Sequence, residues 1–176
     1  DEDDQPDIII QMATPNSGSE YSSDVDDRGY TIRVQDANAR IIELLSDDAK
    51  DAIDGVVEHS YYNKKTDEFE DSTAEKNYVN VDYQVWDDAF DKDLSLHLTE
   101  WNVKASTLEQ NGLKSTGVIQ EHFENFLEMG ADEAHIWAVQ HNTTTDLAGG
   151  QTEVPLRDDQ GHLVNTIRGA LFQNMQ

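Results

Sequence analysis

A chain of 176 residues has the length of one domain and can bury a substantial core. Its 37 acidic residues against 12 basic ones give a formal charge of −25, which repels phosphate backbones and anionic lipid and argues against nucleic-acid and membrane partners. Cysteine is absent, which excludes disulfides, thiolate metal sites and cysteine nucleophiles.

The acids are spread among aromatic and aliphatic runs, so a folded chain is expected rather than a disordered one. The same charge suits a salty milieu, where screening removes self-repulsion, and a marine or halophilic bacterial source fits it. No stretch reaches the roughly 20 apolar residues of a membrane span. No basic-then-apolar signal opens the chain, so if the protein is secreted its export signal is expected outside this sequence.

In chain order, residues 8–12 form an apolar run that reads as a buried strand, closed by Pro15, Ser17 and Gly18. An acidic, serine-rich loop follows. Ala37, Ile41, Ile42, Leu44 and Leu45 recur at helical spacing and predict a helix over 34–45. Ser46 suits an N-cap for a second short helical turn through Ile53, broken at Gly55. A second strand runs from Val56 through His59 toward Tyr62. Residues 63–76 read as a polar loop, and Val81, Val85, Trp86, Ala89 and Phe90 as a helical stripe. Residues 94–100 form a third strand. Ser115 and Thr116 are expected to cap a helix whose inner face is Val118, Ile119, Phe123, Phe126 and Leu127, ended by Gly130. A fourth strand covers 134–139. Leu163, Ile167, Ala170, Leu171 and Met175 suggest a last helix, with Gly169 a weakness in it.

Repeated βα units predict an α/β fold with a parallel sheet and ligand sites at the strand C-terminal ends. Four units are half of an eight-unit barrel, but they also suit a small open sheet, and periodicity does not choose. No internal repeat is present. Within this order the run Leu94-Ser95-Leu96-His97-Leu98-Thr99-Glu100-Trp101-Asn102 is a strand that delivers a carboxylate, Glu100, to its end beside an aromatic. That pairing suits sugar chemistry; the plain alternative is a solvated Glu where a strand becomes a loop.

The segment His97-Leu98-Thr99-Glu100-Trp101-Asn102 resembles the seventh-strand nucleophile motif of retaining glycoside hydrolases with the (β/α)8 barrel. The likeness is greatest to α-L-arabinofuranosidases, β-xylosidases and related marine polysaccharide hydrolases. Asp54-Gly55-Val56-Val57-Glu58-His59-Ser60-Tyr61 resembles their sixth strand with its His-x-Tyr ending. Ala134-His135-Ile136-Trp137-Ala138 resembles an eighth strand carrying a sugar-stacking Trp. Gly161-His162-Leu163 with Gly169-Ala170-Leu171-Phe172 resembles the final helix. The resemblance implies that residues 1–176 are one α/β unit matching strands five to eight, with surface insertions near 19–30 and 63–77. It also departs from the family pattern. The family's acid/base Glu follows an Asn at the end of the fourth strand, and no Asn-Glu precedes Ile8. The reversed pair Glu124-Asn125 falls on a helix. The implied reading is a C-terminal half barrel that lacks the second carboxyl group.

On this resemblance Glu100 is the nucleophile candidate, and the implied partner is a carbohydrate, a plant or algal polysaccharide. Tyr61, with Tyr62 as its rival, is the candidate donor that keeps Glu100 ionised. His59 is a candidate for a sugar hydroxyl, or else a hydrogen-bonded core histidine. Trp137 is a candidate floor under the sugar ring, or else core. Gln140 is a candidate hydroxyl contact, and Trp101 and Asn102 are expected to shape the loop after Glu100. No metal or cofactor is expected. The histidines lack ligand spacing, and Asp24-Val25-Asp26-Asp27 reads as a solvated loop. The sequon Asn142-Thr143-Thr144 is a short chance pattern. A second class of function stands beside the first: a non-catalytic acidic α/β module that binds carbohydrate or a protein. It predicts covered sheet edges and a Glu100 remote from any cleft. A half barrel predicts open edges, an apolar inner face and, through those edges, a homodimer.

Overall fold

The fold is described from a computed structural model, for residues 6–14, 24–27, 30–62, 73–103, 113–141, 146–149 and 156–175. Four strands, β1 (Ile9–Gln11), β2 (Gly55–Tyr62), β3 (Ser95–Val103) and β4 (Glu133–Ile136), form one parallel sheet in the order β1-β2-β3-β4. Between and after them run α1 (Ile32–Leu44), α2 (Asp47–Ala52), α3 (Thr73–Asp87), α4 (Leu113–Glu128) and α5 (Ile167–Met175). Each strand lies beside its predecessor, so the winding never reverses as it does in a doubly wound sheet. α1 packs on α3, α3 on α4 and α4 on α5, making one helical layer over one face of the sheet.

The local chemistry explains most element bounds. α1 buries Val34, Ala37, Asn38 and Ile42, a single stripe at helical spacing. Ser46 caps α2 as expected, its Oγ accepting from the Ala49 N–H at 3.2 Å, with Asp47 and Asp48 favourably placed in the first turn. Gly130 ends α4 with φ 77°, the left-handed conformation that glycine adopts without strain. Five expectations need correction, two of them at the C-terminal end: β4 stops at Ile136 rather than Val139, and Leu163 lies ahead of α5 in a bridge with Arg157. α4 begins at Leu113, so Ser115 and Thr116 lie inside its first turn rather than capping it. α3 begins at Thr73, inside the stretch read as loop. β3 runs on to Val103, so Trp101 and Asn102 belong to the strand and not to a loop. Residues 19–23, 28–29 and 63–72 of the expected insertions lie outside the described residues, as does the sequon at 142–144.

The core lies between sheet and helices. Val56, Leu96, Leu98 and Trp101 from the sheet meet Val79, Trp86, Ile119 and Phe126 from the helices. Trp101 is the hub of its aromatic part, edge-on to Phe126 at 5.2 Å and tilted against Phe172 at 6.1 Å. Gly169, expected to weaken α5, instead permits its docking. A Cβ there would fall 1.9 Å from the Leu147 carbonyl oxygen, so only glycine allows this approach.

The opposite face carries no helical layer among the described residues. Its register row is Gln11, Val57, His97 and Glu133, and farther along stand His59, Tyr61 and His135. This face is polar, which corrects the expectation of an apolar inner surface. Glu133 accepts from His135 at 3.1 Å and lies 3.5 Å from His97, and these imidazoles hold its carboxyl below the ordinary range. Side chains that pair with one another and with water do not need a hydrophobic cover. Among the described residues β1 pairs only with β2 and β4 only with β3, so both edges are open.

One buried side chain ties the first strand to the helical layer. Asn38 Oδ1 accepts from the Ala13 N–H and from Trp86 Nε1, both at 2.8 Å, with Asn38 and Trp86 fully enclosed. Removing the acceptor leaves two buried donors unpaired. Asn38→Ala is therefore expected to cost about 2–4 kcal/mol of unfolding free energy, read from urea melts; a loss below about 0.5 kcal/mol would refute the role.

Candidate functional site

Parallel strands end on one side of a sheet, and there β2 and β3 present their polar residues together. Along β3, Leu94, Leu96 and Leu98 are buried under the helices, so strict alternation would bury Glu100 as well. It is not buried. Glu58 pairs with Leu98 but the next residue, His59, pairs with Glu100, which leaves Thr99 as an extra residue in β3. β4 shows the same offset, Ala134 opposite Leu98 and Ile136 opposite Trp101. This bulge inverts the pattern: Glu100 turns to the open face and Trp101 turns into the core.

The bulge sets the geometry around Glu100. Tyr61 Oη donates to Glu100 Oε2 at 2.9 Å. His59 Nδ1 lies 3.6 Å from the same oxygen, and its Nε2 is 3.1 Å from Thr99 Oγ1. Tyr78 on α3 donates its hydroxyl to the His59 carbonyl at 3.0 Å and fixes that strand end from behind. Burial pushes the Tyr61 hydroxyl well above the ordinary phenol range, and the hydrogen bond to Glu100 and the Glu100 charge push it the same way. Tyr61 is thus a standing donor aimed at a carboxylate. Glu100 keeps 38% of its side chain exposed, so it is held and still reachable.

Beyond β4 the Trp137 side chain is 43% exposed, its ring 5.0 Å from that of His141. Asn102 donates to the Trp137 carbonyl at 2.5 Å, which links the strand carrying Glu100 to the segment carrying Trp137. That segment is pinned further on: Asp146 accepts from the His141 N–H at 2.8 Å, and Thr166 Oγ1 donates to the Asp146 carbonyl at 2.9 Å. Glu100, Tyr61 and His59 are brought together directly, and Trp137 joins them through Asn102. Gln140 is half-buried beyond the strand end and forms no hydrogen bond with that group. The Tyr62 side chain lies outside the described residues.

A second acidic feature lies on the covered face. Glu58 is fully buried and Asp82 nearly so, and the Asp82 charge reaches Glu58 across the β2–α3 contact. Burial drives the Glu58 carboxyl from 4.5 to about 8, opposed by its bond from the His59 N–H. Burial alone takes Asp82 from 3.8 to about 7. These groups lie beneath the Glu100 group, on the covered face, rather than in it.

Among the described residues no three His, Asp or Glu side chains are grouped to hold a metal ion. In the turn at Asp24–Asp27, Asp26 is occupied by the Tyr30 N–H at 2.9 Å and by Gln35 at 3.2 Å. No described helix is long and apolar enough to cross a membrane. The chain matches no protein-family model, no curated protein and no solved structure.

Thr99, Tyr78 and the Glu58–Asp82 pair escape a reading of the sequence alone. Only Thr99 leaves a trace there, since a leucine alternation that runs straight into a glutamate is internally inconsistent.

Two outcomes follow from this geometry. Deleting Thr99 restores strict alternation, sends Glu100 inward and exposes Trp101; losing the Trp burial alone is worth about 3–5 kcal/mol. The deletion variant should lose its near-UV tryptophan signal and cooperative melting, whereas Thr99→Ser should retain both. The second outcome concerns pH. Carboxyls whose folded values lie above their unfolded ones stabilise most below the unfolded pKa, and that contribution is lost as pH rises toward the folded value. For Glu58 and Asp82 this window runs from about 4 to about 8. Glu58→Gln should therefore lose less unfolding free energy than the parent over that range in high salt, with surface Glu43→Gln as control. Parallel curves for all three would contradict the assignment.

Proposed function

We propose that this chain is the C-terminal half of the (β/α)8 barrel of a retaining glycoside hydrolase. On this reading β1 to β4 stand as strands five to eight, and the substrate is a plant or algal polysaccharide met outside the cell. The observation that carries the reading is the Tyr61–Glu100 hydrogen bond, made by adjacent parallel strands at their C-terminal ends on the face left open. A nucleophile for sugar chemistry has to be ionised, oriented and reachable, and Glu100 has a donor, a histidine neighbour and an exposed edge.

The chemistry assigned to the site runs as follows. A Glu100 oxygen attacks the anomeric carbon as the glycosidic C–O bond breaks, and the leaving oxygen takes its proton from a second carboxyl group. Water then attacks the glycosyl ester, delivering its proton to that same group and releasing Glu100. Tyr61 holds the carboxylate oxygen that does not attack, and exposed Trp137 offers an apolar floor for the ring. The second carboxyl has to stand roughly 5–5.5 Å from Glu100, and we assign it to a segment other than these 176 residues. The winding of the sheet supports the reading, because four parallel strands in sequential order, with the α1, α3, α4 and α5 layer on one face among the described residues, match the wall of half a barrel.

A leaving group that needs no protonation tests the nucleophile without its partner. 2-Fluoro-2-deoxy sugars bearing dinitrophenolate, in xylosyl, arabinofuranosyl and galactosyl forms, should leave a covalent sugar ester on Glu100, located by mass spectrometry and absent in Glu100→Gln. An adduct at another residue, or none with any reagent, overturns the assignment. Brisk hydrolysis of simple alkyl glycosides by the chain alone, abolished in Glu100→Gln, would instead refute the external second carboxyl.

A further inference from the structure

On the outer, helical side of the molecule, remote in the fold from the strand ends, α3 and α4 part to leave an open groove of about 360 Å³. Its lining is Tyr30, Asn80, Val81, Gln84, Asn125, Glu128 and Met129. Two helices of a closed layer usually meet through apolar ridges. Here Val79 and Val81 on α3 and Phe126 on α4 are buried, while the positions at the mouth of the groove carry amides instead. Asn80 and Asn125 are half-buried, one on each wall, and neither side chain makes a hydrogen bond among the described residues. A half-buried amide has donors and acceptors that face either water or a ligand.

The composition of the lining selects the ligand chemistry. Among the described residues it contains no Lys, Arg or His, and the chain carries a charge of −25, so phosphate, sulfate and uronate groups are disfavoured. A cationic amine would use the carbonyl oxygens and Glu128 but would leave the amide N–H donors of Asn80 and Asn125 unspent. Vicinal hydroxyl groups use both halves of each amide, since every hydroxyl donates once and accepts twice. Met129 supplies an apolar patch and Tyr30 an aromatic one, which match the C–H faces of a pyranose or furanose ring. The volume lies at the lower end of small-ligand sites and suits one or two sugar rings. We infer that the α3–α4 groove is a binding site for a neutral saccharide, separate from Glu100. The inference stands whether or not the chain is part of a glycoside hydrolase, because no residue of the Glu100 group lines the groove.

Such a site would hold a polysaccharide chain against the back of the molecule while other contacts engage it elsewhere. An open, hydrated groove that gains a few hydroxyl–amide bonds binds weakly, with half-saturation at about 1–10 mM. Backbone amide spectra of the full 176-residue chain, titrated with xylotetraose, arabinotetraose and cellotetraose in turn, provide the test. At least one sugar should shift the signals of residues 80–84 and 125–129 saturably. Asn80→Ala/Asn125→Ala should weaken that binding by about tenfold or more, and Glu100→Gln should leave it unchanged. Neither amide bonds another described residue, so the double variant should keep the parent circular dichroism; if it does not, Gln84→Ala with Glu128→Gln replaces it under the same criterion. The inference is overturned if none of the three sugars shifts these signals, if the variants bind as tightly as the parent, or if only the amine putrescine binds there.

Discussion

The arrangement of side chains at the strand ends rests on one surplus residue in β3. Pairing with β2 skips Thr99 and pairing with β4 carries the same one-residue offset between Leu98 and Trp101, and this offset decides that Glu100 faces outward and Trp101 inward. The two placements support each other. An ionised carboxylate under the helices would lose hydration worth several kcal/mol, and an exposed Trp101 would lose a comparable amount of packing against Phe126 and Phe172. A slip of one residue would incur both costs at once, so the register is strongly specified. His59 stays opposite Glu100 because β2 has no compensating bulge, and its ring closes over the offset by reaching Thr99.

The two faces of the sheet handle acids in opposite ways. On the open face Glu100 is held by Tyr61 and Glu133 by two histidines, so the carboxylates keep water on one side and donors on the other. On the covered face Glu58 and Asp82 have lost their water, and burial raises the proton affinity of both well above the ordinary carboxylate range. Residues 58 and 59 are neighbours on one strand, yet one belongs to the core and the other to the site. Alternation along β2 produces this separation without any special device, whereas β3 needs its bulge to achieve the same arrangement at Glu100.

Much of the architecture is written in local pattern. The 3.6-residue stripes of α1 and α4, the Ser46 cap, the Gly130 stop and the leucine alternation of β3 all specify their elements through nearest-neighbour physics. Boundaries failed where a tertiary contact overrode a local signal. Ser115 and Thr116 look like caps, but α4 starts earlier, and Thr116 is buried. Gly169 looks like a flaw, but the Leu147 carbonyl occupies the space a side chain would need.

The sequence by itself determined the βα order and the α/β class of the fold, because those depend on residue type and spacing along one strand or helix; Glu100, Tyr61, His59 and Trp137 entered as site candidates through a family resemblance. It did not determine that the open face of the sheet carries mostly polar side chains, that Asn38 joins the end of β1 to α3, or that α3 and α4 part around Asn80 and Asn125. Those features depend on which residues meet across elements far apart in the chain, and periodicity carries no record of such meetings. The direction of Glu100 belongs to the same group. Counting along β3 places it in the core, and only the registers with β2 and β4 turn it outward to the open face.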